Sequence, residues 1–364
     1  MTGPPFTSAT QTTVTTNGRT LISFAGCNYL GLAQHQSVLK TATDTIKQFG
    51  LSTSASRQTS GHTKLHRALE RDIARTLAVN EVLLLPDGYL ANLAAAQALA
   101  KSGIRHAIID ERAHQSLHDA ATLAGLDIFT YETANPDEAS RAADGLGIND
   151  CVVMTDGVFT TDGRIAPIPA LLELGTALLV DDCHGFGIVG PNGAGTTALH
   201  NLAGHPSIII TSTLAKGIGC AGGFVAASKP FIDTARQYAS AYICTTPTSP
   251  PLVAAARESL RIARTDTKRR QRLLDNIAAV RSILESLNIP AHTNDTPVFA
   301  FTQEPPTKLD AFSDALDAAS VFIPLMAYPH GPSPRYFRLA VSSEHTPEDL
   351  NALNNALNNA HQPP

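Results

Sequence analysis

The chain has 364 residues, 43% hydrophobic and 16% charged, with 27 basic and 32 acidic side chains and a net charge of −5. That is enough apolar material for one large core and a smaller unit, and the mild acidity gives no basic footprint for nucleic acid. No apolar run approaches the ~20 residues a membrane helix needs, and the polar, Thr-rich residues 1–16 lack the basic-then-apolar pattern of a signal peptide.

Along the chain, Val38, Leu39, Ala42 and Ile46 follow helical spacing, and Gly50 closes that helix. Leu65, Leu69, Ile73 and Leu77 mark a second helix. Strand and helix patterns then alternate. Strands are expected at 82–86, 107–110, 152–156, 177–182, 208–213 and 224–228. The alternation predicts an α/β fold, a largely parallel sheet with helices on both faces. The run from Thr245 and Thr246 through Pro247 to Pro251 is a turn-rich break. Beyond it, the pattern predicts one long charged helix over about 252–287 and strands at 298–302, 321–326 and 336–342. Leu309, Phe312 and Leu316 give a helix between the first two of these strands. Thr346 caps a final helix, with Pro347 in its first position. The expected organisation is an N-terminal segment (1–45), a large domain (46–245) and a small α+β domain (246–364).

Chemistry gathers at the expected strand ends. After 208–213 comes Leu214-Ala215-Lys216-Gly217, a single Lys among small neighbours. A pyridoxal phosphate (PLP) enzyme would place its Schiff-base amine there, with Thr213 near the phosphate. The bland reading is a solvated loop lysine. The strand at 177–182 ends in Asp181-Asp182-Cys183-His184-Gly185. Asp181 is placed to hold the proton on a pyridine nitrogen, and His184 to bond the phenolic oxygen. The same run could bind a metal, but no second ligand cluster with metal spacing accompanies it. Asp87-Gly88-Tyr89 opens a helix whose N-terminus suits a phosphate. His114, in Asp110-Glu111-Arg112-Ala113-His114, could stack on a planar ring or merely cap a helix. Asp156-Gly157-Val158-Phe159-Thr160 ends a further strand. Polar loops at successive strand ends converge on the crevice where open sheets bind ligands. Arg338, inside an apolar strand, is either an exposed-face residue or a carboxylate clamp. Cys27, Cys151, Cys183, Cys220 and Cys244 are scattered, which suits reduced thiols and a cytoplasmic setting.

Together, Tyr29-Leu30-Gly31-Leu32, Ser60-Gly61, residues 87–92, His114-Gln115-Ser116, Thr155-Asp156-Gly157, residues 181–185 and Thr213–Lys216-Gly217 resemble the α-oxoamine synthases, the fold-type I PLP-dependent acyltransferases. The resemblance implies that Lys216 carries the cofactor and that Asp181 pairs with the ring nitrogen. It implies that His184 and Thr160 contact the phenolic oxygen and that His114 stacks on the ring. Gly88, Tyr89 and Thr213 would hold the phosphate, and Arg338 the substrate carboxylate. A homodimer is implied, with Thr245 or Thr246 reaching the partner's phosphate. The implied reaction joins a small amino acid, alanine or glycine, to an acyl-CoA or acyl-carrier thioester and loses CO2, leaving an α-amino ketone. Alanine with a pimeloyl-type thioester is the best-matching pair. An aminotransferase or aldolase on the same fold, or a non-catalytic partner subunit, is the rival.

Three departures stand out. Cys27 occupies a position where the family usually has a substrate-contacting Asn. Residues 52–57 replace a Gly-rich stretch. The segment before Asn28 is short, so the family's N-terminal helix at the acyl-CoA entrance is not expected in full.

Overall fold

The computed structural model describes residues 5–290, 292–303, 305–328 and 331–361. Three short strands come first: β1 (Ser8–Ala9), β2 (Thr13–Thr16) and β3 (Arg19–Ser23). They pair antiparallel in sequence. Their Thr-rich, half-exposed residues carry no apolar alternation, which is why periodicity did not mark them. Helices Gln36–Phe49 and Lys64–Leu77 follow where spacing placed them.

The central sheet contains β4 (Glu81–Leu85), β5 (His106–Asp110), β6 (Asp127–Tyr131), β7 (Cys151–Asp156), β8 (Ala177–Asp181), β9 (Ile208–Thr213) and β10 (Gly223–Ala227). Their spatial order is β4-β10-β9-β8-β7-β5-β6. β10 runs antiparallel to both its neighbours, and every other pairing is parallel. The fold is therefore the expected mostly parallel α/β type. Successive side chains alternate between two cores: Leu178 and Val180 pack on one face with Ile208 and Ile210, while Leu179 and Ile209 pack on the other. Both faces are covered by helices, so the strands read as unbroken apolar runs rather than as alternating ones. β6 was not expected from the sequence. It is the edge strand, and its first four residues are exposed.

Two further expectations are corrected. The long helix over 252–287 is two helices, Pro250–Thr265 and Thr267–Ser286. Asp266 between them has a non-helical backbone, and its carboxylate caps the second helix by accepting from the Arg269 N–H at 2.9 Å. The strand at 321–326 is also two: β12 (Val321–Phe322) and β13 (Leu325–Met326). β12 joins β3 in parallel, and β13 pairs with β14 (Tyr336–Ala340). Pro324 lies at the switch and cannot donate a ladder bond. Its carbonyl instead accepts from the Arg338 N–H at 3.0 Å. β11 (Val298–Phe301) completes the small antiparallel sheet on the other side of β14. The final helix, Pro347–His361, is capped reciprocally by Thr346 and Asp349, as its sequence indicates. Among the described residues, no helix is long and apolar enough to cross a membrane.

Candidate active site

β4, β5, β7, β8 and β9 end at one edge of the sheet, and the loops that follow them enclose a cleft of about 210 Å³. Gly88, Tyr89, His114, Thr160, Asp181, His184, Thr213 and Lys216 all line it. Residues from five strand ends thus meet in one place, although up to 128 positions separate them in sequence (216 − 88).

Asp181, the last residue of β8, forms the floor. Its Oδ2 accepts from Asn92 Nδ2 at 2.7 Å and its Oδ1 from the Cys183 N–H at 3.0 Å. These bonds hold the carboxylate in one orientation. Beside it, in register on β7, lies Asp156. Burial pushes the Asp156 carboxyl well above the usual range, and the charge of Asp181 pushes it further. Asp156 accepts from the His114 backbone N–H at 2.9 Å and so fixes the start of helix Gln115–Leu123.

The helix Gly88–Lys101 points its N-terminus into the cleft, capped by Asp87, whose Oδ1 accepts from the Leu90 N–H at 2.8 Å. A Cβ at position 88 would lie 3.1 Å from Thr213 Cβ and 3.2 Å from Cys183 Sγ, so glycine permits this close approach. The N–H groups of the first helical turn have no intrahelical partner and favour an anion. Tyr89 is 43% exposed, and its hydroxyl donates to Asp119 at 2.8 Å. Its side chain is therefore occupied elsewhere, and its backbone N–H is the group that can serve a phosphate.

On the other side, Lys216 Nζ lies 2.8 Å from His184 Nε2, and His184 Nδ1 lies 2.7 Å from the Tyr29 hydroxyl. Burial holds the His184 imidazole well below its ordinary pKa, and the charges of Lys216, Arg338 and His114 add to this. His184 is therefore neutral at pH 7. Tyr29 also lies 3.5 Å from Arg338 Nη2, and Arg338 Nε donates to the Thr160 carbonyl at 2.7 Å. Cys27 Sγ lies 4.0 Å from Arg338 Nη2. Burial raises the Cys27 thiol, but Arg338, Lys216 and a Tyr29 hydrogen bond outweigh it, and the net shift is downward. Arg338 is only 8% exposed, and its side-chain partners among the described residues are the Thr160 carbonyl, the Tyr29 hydroxyl and the Cys27 thiol, none of them a carboxylate. A buried guanidinium without a counter-ion is costly, which marks a place for an anion.

Thr245 and Thr246 do not line this cleft. Thr245 Oγ1 donates to the Ala241 carbonyl at 2.7 Å, and Thr246 is exposed. Sequence reasoning gave no role to Asn92, Ser116, Thr211 or Tyr29, and Tyr328 lay outside every motif. Asn92 closes the motif at 87–92 and stands one helical turn after Gly88, on the face toward the sheet.

The donor set fits PLP. A primary amine, an oriented carboxylate and an anion-binding helix end with a flanking hydroxyl surround one cleft at a separation set by the sheet. Among the described residues, no group of three or more His, Cys, Asp and Glu side chains is placed to hold a metal ion.

The aminotransferase class I and II family model matches residues 19–357. A protein of Hahella chejuensis named 8-amino-7-oxononanoate synthase is 35% identical over 341 residues, which cover 92% of this chain and 86% of that protein. A protein of the same name from Thioalkalivibrio sulfidiphilus is 33% identical over 347 residues, covering 94% and 88%. Among solved structures, serine palmitoyltransferase from S. paucimobilis superposes with a TM-score of 0.91 at 24% identity, covering 97% of this chain and 90% of that one. The 8-amino-7-oxononanoate synthase of Francisella tularensis superposes at 0.82 and 22% identity, covering 94% and 97%. The chain belongs to the class I and II aminotransferase family, and within it to the α-oxoamine synthases, the PLP-dependent acyltransferases.

Proposed function

We propose that this enzyme condenses alanine with a pimeloyl thioester, forming 8-amino-7-oxononanoate and releasing CO2 and the free thiol. The observation that carries the reading is the meeting of Lys216 and Asp181 in one cleft, with a buried Arg338 bonded to the cleft residue Thr160. The choice of alanine and pimeloyl rests on the names of the relatives.

Arg338 would bind the carboxylate of the amino acid through its free Nη face, with its Nε already fixed on Thr160. PLP, once bound, supplies an electron sink for the charge that develops at the substrate Cα. Asp181 would hold a proton at the ring nitrogen, and Asn92 and Cys183 keep its carboxylate in one orientation. Lys216 would hold the cofactor through its amine, and that amine is the general base that would take the Cα proton. Neutral His184 and Thr160 would serve the phenolic oxygen. His114 would pack on the ring, and the helix end at Gly88 and Tyr89, with Thr213, would hold the phosphate. The new C–C bond forms between the alanine Cα and the thioester carbonyl carbon. The thiolate leaves, the former α-carboxylate departs as CO2, and the electron pair left on Cα takes up a proton, for which Lys216 is the placed donor.

We also infer a homodimer, in which Thr245 or Thr246 serves the partner's site, in a cytoplasmic setting where the five cysteines stay reduced. The test is to supply PLP, pimeloyl-CoA and each of alanine, glycine and serine in turn, and to measure thiol and CO2 release. Both products with alanine in one-to-one ratio support the proposal. Thiol release with glycine and a short acyl-CoA instead would move the enzyme to the acetyltransferase branch. No thiol release with any acyl-CoA or acyl carrier would overturn the condensation.

A further inference from the structure

His114 lies on a hydrogen-bond chain whose direction can be worked out donor by donor. Thr211 Oγ1 donates to Asn92 Oδ1 at 2.5 Å. Asn92 Nδ2 donates to Asp181 Oδ2 at 2.7 Å and to Ser116 Oγ at 2.8 Å. Ser116 Oγ already accepts one bond, and its own proton goes to His114 Nδ1 at 2.7 Å. The Ser116 backbone N–H points at the same nitrogen, at 3.2 Å. A ring nitrogen that accepts from two donors carries no proton. Burial, the largest influence on His114, also disfavours its charged form. The neutral ring therefore keeps its proton on Nε2. That nitrogen lies 3.0 Å from the Tyr328 hydroxyl, with the two rings 6.2 Å apart and tilted by 33°.

Tyr328 is half-buried in the segment that joins β13 to β14, the strand that carries Arg338. The ring wall of the cleft and the carboxylate-binding strand thus meet through one side-chain bond. We propose that Tyr328 is a positioning residue: by accepting the Nε2–H of His114, it fixes the tilt of that ring and ties it to the strand that holds Arg338. The consequence for turnover rests on the reading that His114 packs against the cofactor. The bond itself does not.

The test uses full-length holoenzyme labelled with ¹⁵N-histidine, as wild type and as Tyr328→Phe, which keeps the ring and removes only the hydroxyl. The wild type should show His114 protonated on Nε2, with slow exchange of that proton. The variant should exchange it at least about tenfold faster, because the Tyr328 hydroxyl is its only partner among the described residues. It should also lower kcat about three- to tenfold with less than a twofold change in the amino-acid KM, as misorientation without lost substrate contact predicts. Tyr328→Gln, which restores an acceptor, should recover part of the protection. A wild-type His114 protonated on Nδ1, or an Nε2 proton equally protected in Tyr328→Phe, would overturn the proposal whatever the substrates are. Reduced turnover with unchanged Nε2 exchange would overturn it too, because Tyr328 would then act by some route other than His114.

Discussion

The floor and the roof of the cleft are built on different principles. The floor, made by Asp181, Asp156 and His114, comes from the ends of adjacent parallel strands, and each group is held by bonds to its near neighbours. The roof is assembled from three distant places. Cys27 and Tyr29 come from the N-terminal part, Arg338 from β14, and Tyr328 from the segment before it. The floor holds charges that must stay fixed while electrons move. The roof holds Arg338, the group we propose to meet the carboxylate of an incoming molecule. Substitutions in the floor should therefore stop the chemistry, and substitutions in the roof should change what is bound.

The largest effect is expected at Lys216. Lys216→Ala removes both the covalent attachment and the general base, so kcat should fall by at least about 10³-fold, or roughly 4 kcal/mol. Borohydride treatment followed by mass spectrometry should fix the cofactor to the wild type and not to the variant. Cofactor fixed at another lysine would dismiss the assignment. Next comes Asp181→Asn. An amide is nearly isosteric, but Asp181 accepts from both Asn92 Nδ2 and the Cys183 N–H. An Asn can accept on one side only, so two donors would face each other on the other. This should cost about 1–3 kcal/mol of stability as well as about 10²-fold in kcat. Thermal unfolding and turnover, measured together, separate the two losses. A fully active Asp181→Asn would mean that the ring nitrogen needs no anionic partner here.

The same contrast explains how much of the site could be read from the sequence. Asp181, His184, Lys216 and Gly88 stand immediately after apolar runs, and a parallel sheet carries all such positions to one edge. Their convergence followed from chain order alone. Arg338 sits within a run that is apolar on both sides, so the local pattern alone left the exposed-face and clamp readings open and only the resemblance favoured the clamp; the structure buries it. Tyr29 stood in a motif without a role of its own, and Tyr328 lay outside every motif, because their contacts are hydrogen bonds to His184 and His114, 155 and 214 positions away. Similar limits apply to the fold. The central strands could be read because both faces are buried. β1 to β3 and β6, exposed or at an edge, lacked the apolar pattern that marks a strand. The break at Asp266 was hidden because helical spacing continues on either side of it.

In the roof, Arg338→Lys keeps the charge and loses the fork that can bind a carboxylate while still bonded to Thr160. The amino-acid KM should rise about ten- to hundredfold, or roughly 1.4–2.8 kcal/mol, with a smaller change in kcat. A larger loss in kcat than in binding would place Arg338 with the floor and break the contrast drawn above.

The smallest effect is expected at Cys27. Its thiol titrates below the ordinary value because Arg338 and Lys216, with Tyr29, outweigh the burial that opposes ionisation. As pH rises through that lowered pKa, a thiolate forms 4.0 Å from Arg338 Nη2 and competes with the substrate carboxylate for the same guanidinium. The amino-acid KM should therefore rise with pH below 9 by about three- to tenfold, or roughly 0.7–1.4 kcal/mol. Cys27→Ser cannot ionise in this range, so its KM should be flat there while its kcat stays near wild type. A rise that persists in Cys27→Ser would assign the titration to another group and leave Cys27 as packing. A rise that vanishes would show that this chain places an anion of its own beside Arg338.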